Sequence, residues 1–275
     1  PWDALGPGSW TNVSRPLFRR VATRQMKRIC AGAAALNYVT SAALQERYPA
    51  PKNAYVGGFS DVALDGAQAS SEVLQQRHRR LRALPWQYSN GVDSFRIGFI
   101  GSFERLYKGA DVLLRAAALG QSRGLNFALN LAGEGRHLEQ MKSLAVKLGI
   151  ADRTHFFGHL SPATTLFGFL DSTDLFVIPS RQEGMPRALL EAMARGCPCI
   201  GSAVGGIPEL LEPSNLVPVG NPEGVAESIL RFACDAERLI SMSSRNWRKA
   251  REFNPEALRQ KRLAFLEAVK ERSRL

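Results

Sequence analysis

The feature that most constrains the fold is a change of hydrophobic period that repeats along the chain. From Phe95 onward, short apolar runs alternate with segments of helical spacing. Phe95–Ile100, Phe127–Ala132, Thr154–Phe157, Asp174–Ile178, Cys199–Ser202 and Leu216–Val219 read as strands. Ala110–Leu119, Leu138–Leu148, Arg187–Arg195 and Pro222–Cys234 read as the helices between them. A further helix opens at Ser161-Pro162, with Ser as N-cap and Pro in the first turn. The strands lack polar alternation, as strands covered on both faces do. Such a chain folds as α/β, with a doubly wound parallel sheet and helices on both sides. Ligands of these sheets sit beyond the carboxyl ends of the strands. Gly101, Gly133, Gly135, Gly158 and Gly184 all fall there.

The first 94 residues read differently. Pro16–Cys30 is a basic helix, Ala34–Thr40 a strand, and Ser41 caps a short helix ending at Arg47. One helical stretch, Ser71–Leu84, interrupts a segment rich in Pro, Gly, Ser and Asn. This region buries too little for a full domain. The start, Pro1-Trp2-Asp3, has no initiator Met and no signal-peptide pattern, and is expected to be a cut into a longer reading frame. At the other end, Glu237–Glu252 is an amphipathic basic helix, and Asn254-Pro255-Glu256 restarts a helix running to about Lys270.

Charge and cysteine use narrow the classes. Of the net charge of +11, residues 1–94 hold twelve Lys and Arg against six Asp and Glu, densest over Arg15–Arg28. Such a patch suits nucleotide phosphates or an anionic membrane surface, or is a solvated helix face. A nucleic-acid partner is not expected, because interleaved aromatics and any recognisable nucleic-acid module are missing. No apolar run approaches the roughly 18–20 residues of a membrane span. Cys30, Cys197, Cys199 and Cys234 are too few for a disulfide scaffold and have no metal-ligand spacing, so reduced thiols and a cytoplasmic setting are expected.

The residues with the most chemistry are Glu183 and Glu191, eight apart, one in a loop and one in the helix after it. Pro186 fits the first turn of that helix, whose free N–H groups and positive dipole end suit a phosphate. Glu191 stands in an otherwise apolar run, Ala188-Leu189-Leu190 and Ala192-Met193-Ala194. A carboxylate there needs donors. Two ribose hydroxyls would serve, and so would Arg187 or Arg195 at helical spacing. Lys108, after the first strand of the series, can neutralise a diphosphate or be an ordinary loop lysine. No Asp-x-Asp occurs, so a metal-bridged diphosphate is not favoured. Lysine and a helix start can instead stabilise a leaving diphosphate.

Gly101–Gly109 (GSFERLYKG), Gly133–Gly135, Phe157-Gly158, Pro179-Ser180-Arg181-Gln182-Glu183-Gly184, Glu191–Pro198 (EAMARGCP) and Gly205–Glu209 (GGIPE) come in an order and spacing that resemble the group-1, or family-4, retaining glycosyltransferases. The resemblance covers about residues 95–235. It implies a GT-B fold, of which this chain carries the C-terminal Rossmann-like half. It implies that Glu191 holds the ribose and that Glu183 lies at the donor sugar. Gly184, Met185 and Pro186 would present backbone to sugar and phosphate. Lys108 matches the phosphate-binding lysine, and Gly133, Gly135 and Gly158 match loops lining the nucleotide.

The resemblance also divides the chain: residues 1–65 as a remnant of an N-terminal acceptor-side domain, 66–94 as linker, 95–235 as the nucleotide-sugar domain, and 236–275 as helices crossing back. The expected partners are a nucleotide-sugar donor and a glycan or lipid-linked acceptor, with peripheral contact at the inner membrane surface. No cofactor and no metal are expected. Two departures stand out. Ser102 occupies a position where the family usually has Arg, with Arg105 the candidate substitute, and the acceptor-side histidine of the family has no counterpart. Other readings are an epimerase or phosphorylase on the same fold, and a donor-binding piece without turnover. A dinucleotide oxidoreductase is disfavoured, because Gly133-x-Gly135 lacks the third glycine of that fingerprint.

Overall fold

The computed structural model describes residues 15–272 apart from 65, 67, 84–93 and 162, and of residues 15–19 the backbone alone. Pro162 and Leu84, expected at a helix start and a helix end, lie outside the described residues. The chain opens with α1 (Arg15–Ala31), β1 (Ala35–Tyr38), α2 (Ala43–Arg47), β2 (Tyr55–Gly58) and α3 (Ser71–Ala83). The strand–helix series follows: β3 (Phe95–Ile100), α4 (Ala110–Ser122), β4 (Phe127–Ala132), α5 (Leu138–Lys147), β5 (Thr154–Phe156), α6 (Ala163–Ser172), β6 (Leu175–Ile178), α7 (Arg187–Ala194), β7 (Cys199–Ser202), α8 (Ile207–Leu210), β8 (Leu216–Val217) and α9 (Pro222–Ala233). Two helices close the chain, α10 (Ala236–Ala250) and α11 (Pro255–Arg272).

The larger sheet has six strands in the order β5-β4-β3-β6-β7-β8, every pairing parallel. This is the doubly wound order of a Rossmann-like sheet, in which the order of strand addition reverses between β3 and β6. The missing polar alternation has a direct cause. In β6, Leu175 and Val177 enter the core on one face, while Phe176 and Ile178 enter the core on the other. Phe95, Ile97 and Phe99 of β3 join the first core with Val112, Leu113 and Ala116 of α4 and Val225 and Ile229 of α9. Phe95, Phe99 and Phe127 are fully buried there, each contributing roughly 1.5–3 kcal/mol. Leu189, Leu190 and Met193 of α7 build the second core with Phe169 and Leu170 of α6.

β1 and β2 form a separate two-stranded parallel sheet. α11 returns to it: Phe265 packs its ring 5.5 Å from Tyr55 and 5.9 Å from Phe59. α3 is bolted to the large sheet by a buried guanidinium. Arg77 donates to the carbonyls of Thr173, Leu170 and Arg195, which end α6 and α7. Arg80 beside it forms a two-point ion pair with buried Asp174. Cys197 and Cys199 are buried free thiols, and burial pushes Cys197 up to about 11. No described helix is long and apolar enough to cross a membrane.

One expected cap is corrected. Ser41 does not cap α2, whose N-cap is Ala42 and makes no side-chain bond. Thr40 Oγ1 accepts from Leu44 N at 2.9 Å, and a glutamate distant in sequence accepts from Ser41 N, Ala42 N and Ala43 N. The donors that a Ser41 cap would have met, Ala43 N and Leu44 N, go to Glu209 Oε1 and to the neighbouring Thr40 Oγ1.

Candidate active site

Parallel order sends the β3 and β6 loops out of the same sheet edge, on either side of the point where the sheet reverses. The β3 loop carries Lys108 and the β6 loop carries Glu183. Lys108 Nζ donates to Glu183 Oε1 at 2.7 Å and to Oε2 at 2.9 Å. Ser180 Oγ donates to Oε1 at 2.7 Å. The pair is largely withdrawn from water, with Lys108 20% and Glu183 6% exposed. Two groups 75 residues apart thus form one charged cluster at the switch point.

The loops are held by several contacts that sequence reasoning missed. Arg181 N donates to Tyr107 O at 2.6 Å. The Arg181 guanidinium donates to Leu106 O and grips both oxygens of Asp111 at 2.8 and 2.7 Å. This bidentate bond holds the Arg181 pKa up. Neither Arg181 nor Asp111 carries a local signal that it should pair, since only the topology brings α4 and the β6 loop together.

Two glycines let backbones close around the pair. Gly109 has φ +78°, and a Cβ there would lie 2.1 Å from Pro179 O. Gly205 has φ +57°, and a Cβ there would lie 2.1 Å from Glu183 O. Gly205→Ala is therefore expected to cost at least about 1 kcal/mol of stability, from a strained backbone and a displaced Glu183 carbonyl. Urea unfolding measures this. An unchanged midpoint would mean that the β6 loop adapts freely.

The other glycines line the same edge. A Cβ on Gly101 would lie 3.1 Å from Lys108 Cβ. Gly133 N donates to Gly158 O at 2.7 Å, joining the β4 and β5 loops. Gly135 packs on Phe103–Glu104, and Phe103 N donates to Glu134 O at 2.8 Å. Ser102, at the departure from the family pattern, caps its own loop by accepting from Glu104 N at 3.1 Å. Arg105 is exposed in that loop.

Gly184 and Met185 lead from Glu183 to α7, whose start bears no side-chain cap. Pro186 is the N-cap rather than a first-turn residue, because its ψ of 108° is extended. Its carbonyl accepts Leu190 N at 3.1 Å. Glu191 lies one turn further on. Of its two expected arginines, Arg195 is taken by Asp171, at 2.8 Å from Nε. Arg187 stays 3.9 Å away and mostly exposed. Among the described residues, the Glu191 side chain has no hydrogen-bond donor. Burial raises its pKa above the ordinary value, with Arg187 pulling weakly the other way. No three His, Cys, Asp or Glu residues come together as a metal group among the described residues.

A sheet with this strand order defines the doubly wound class of α/β protein, whose ligands sit at the switch point beyond the carboxyl ends of the strands, where the ion pair and the uncapped helix start lie. The family described as "Glycosyl transferases group 1" matches residues 94–235, more than half of the chain. The chain belongs to that family. It is 33% identical over 149 residues to the N-acetyl-alpha-D-glucosaminyl L-malate synthase of Bacillus anthracis, covering 53% of this chain and 38% of that protein. It is 32% identical over 135 residues to the amylovoran biosynthesis glycosyltransferase AmsK of Erwinia amylovora, covering 46% of this chain and 33% of that protein. The alignments take in less than half the length of these relatives. Among solved structures, HepE of Anabaena in complex with UDP-glucose superposes with a TM-score of 0.70 at 18% identity, covering 93% of this chain and 69% of that one. The fold is thus that of the GT-B glycosyltransferases.

Proposed function

We propose that this protein carries the donor site of a retaining glycosyltransferase. It moves a hexose or related sugar from a nucleoside diphosphate to a glycan or lipid-linked acceptor. The observation that carries the reading is the meeting of Lys108 and Glu183 at the switch point, beside the open start of α7. The UDP-glucose held by HepE and the biosynthetic role in the name of AmsK support it.

In this reading Lys108 turns from Glu183 to the diphosphate, and the first N–H groups of α7 meet the same charge. Gly184, Met185 and Pro186 present backbone to sugar and phosphate. Glu191, with Arg187 at 3.9 Å, takes the ribose hydroxyls as donors. Gly101, Gly133, Gly135 and Gly158 line the nucleotide, with Arg105 at the rim. The bond from the anomeric carbon to the diphosphate breaks, and the diphosphate leaves with the electron pair. The acceptor hydroxyl attacks from the same face and passes its proton to the departing diphosphate oxygen, while Glu183 positions the sugar. Lysine and the helix dipole neutralise the leaving group, so no metal or cofactor is needed. Residues 1–65 are read as part of an acceptor-side domain, 66–94 as linker, 95–235 as the donor domain and 236–275 as returning helices. The setting is the cytoplasm, at the inner membrane surface where lipid-linked acceptors lie.

Calorimetry with UDP, GDP, ADP and dTDP on this chain and on Glu191→Ala tests the donor site. One diphosphate should bind, and binding should be lost in the variant. Equal binding by the variant would remove Glu191 from the site. No binding by any nucleotide, in this chain or in a longer form of the protein, would overturn the reading.

A further inference from the structure

The GGIPE block at Gly205–Glu209 has no role in the donor chemistry above, yet its glutamate makes an unusual set of contacts. Glu209 Oε2 accepts from Ser41 N at 2.6 Å. Its Oε1 accepts from Ala42 N at 2.9 Å and from Ala43 N at 3.1 Å. One carboxylate of the six-stranded unit thus takes three consecutive backbone donors at the start of α2, in the two-stranded unit. The N-cap, Ala42, makes no side-chain bond, and the nearby hydroxyl Thr40 Oγ1 accepts from Leu44 N, so these three donors turn to Glu209. A charged acceptor at such a start gains from both the bonds and the helix dipole.

The contact has a consequence at the site. The segment it holds, Val39–Ala43, follows β1 and faces the turn after Glu183. Val39 Cγ2 would lie 3.8 Å from a Cβ on Gly184. Thr40 Cγ2 would lie 3.3 Å from a Cβ on Gly206, and Gly206 N donates to Gly184 O at 2.8 Å. The carboxyl end of β1 is thereby pressed against the backbone that joins Glu183 to α7.

We propose that Glu209 is a positioning residue. Its carboxylate latches the start of α2 to the GGIPE turn and so holds the Val39–Ala43 segment against the Glu183–Gly184 turn, closing the sugar side of the crevice. The consequence for turnover rests on the donor-site reading; the latch itself does not. Glutamine in its place keeps one acceptor and turns an N–H against backbone N–H groups. Alanine removes the acceptor altogether.

The test combines amide hydrogen exchange with kinetics on Glu209→Ala and Glu209→Gln. Exchange across residues 41–47 should quicken at least tenfold in both variants, with β3 and β4 unchanged. In the release of UDP from UDP-glucose, used as the probe, kcat should fall about tenfold or more while KM for the donor stays within about twofold. A merely structural residue would move both together or neither. Unchanged exchange over 41–47 overturns the latch. Changed exchange with unchanged kcat, or with KM rising in step, overturns the positioning role. If the unaltered protein does not turn over UDP-glucose, the sugar nucleotide of whichever diphosphate binds replaces it as the probe; if none of the four diphosphates binds, the donor reading fails, and the exchange comparison still decides the latch.

Discussion

Replacing Lys108 with Met is expected to lower turnover by about two to three orders of magnitude, the usual effect of removing a group that meets charge developing on a leaving oxygen. Nucleoside diphosphate affinity should fall about 10–100-fold, the worth of one or two charge-assisted bonds. Met keeps an unbranched stem but removes the ammonium, whose Nζ lies 5.3 Å from the centre of the Tyr107 ring, and leaves Glu183 held by Ser180 Oγ. The partner substitution should move binding the other way. In Glu183→Gln, Lys108 loses the carboxylate that holds it at 2.7 and 2.9 Å and is free for phosphate. Diphosphate affinity is then expected to hold or rise while turnover falls. Calorimetry with the bound diphosphate and a coupled assay of its release measure both quantities. A shift of affinity in the same direction in both variants would show that the ion pair merely braces the loops.

The sheet was readable because its signal is redundant. Six apolar runs, five of them followed by helical spacing, leave few topologies. The ends of the runs were less readable. Val219 was expected in the last strand, which stops at Val217, because an edge strand pairs only as far as its single neighbour β7 reaches. The helix from Ala110 runs to Ser122 instead of Leu119, since polar Gln121 and Ser122 continue a helix without adding to its apolar stripe.

The candidate site was half readable. Glu183, Lys108 and the glycines stood out because each follows a strand, and strand ends share one edge. That Lys108 and Glu183 touch was not readable, since nothing in either segment says which strands are neighbours. The same holds for Arg181 with Asp111 and for Glu209 with the start of α2, contacts that span 70 and 166–168 residues. At Glu191 the sequence left two sets of donors open. The structure removes Arg195, which Asp171 holds, and leaves Arg187 at 3.9 Å.

That residual isolation makes Glu191 the position where stability and binding should part. Burial holds its pKa above the ordinary 4.5 in the folded chain. The folded state therefore binds this proton more tightly than the unfolded state does. Stability then declines as pH rises through the unfolded value, and the loss is complete above the folded one. Glu191→Gln removes this titration. At pH 7 to 8 the variant is expected to melt above the unaltered protein, and at pH near 3.5 the two should coincide. Diphosphate binding should show the opposite effect. Ribose hydroxyls donating to a carboxylate are worth about 1.5–3 kcal/mol each, and a neutral amide that keeps one acceptor should cost about 10–100-fold in affinity. Thermal unfolding against pH, paired with calorimetry at pH 7.5, reads both effects on the same samples. Gain in stability with loss of binding is the mark of a group kept at a cost for its ligand. Gain in stability with binding intact would make Glu191 a poorly solvated helix residue and nothing more. Loss of stability at pH 7.5 would mean that the long contact to Arg187 outweighs the desolvation of the carboxylate.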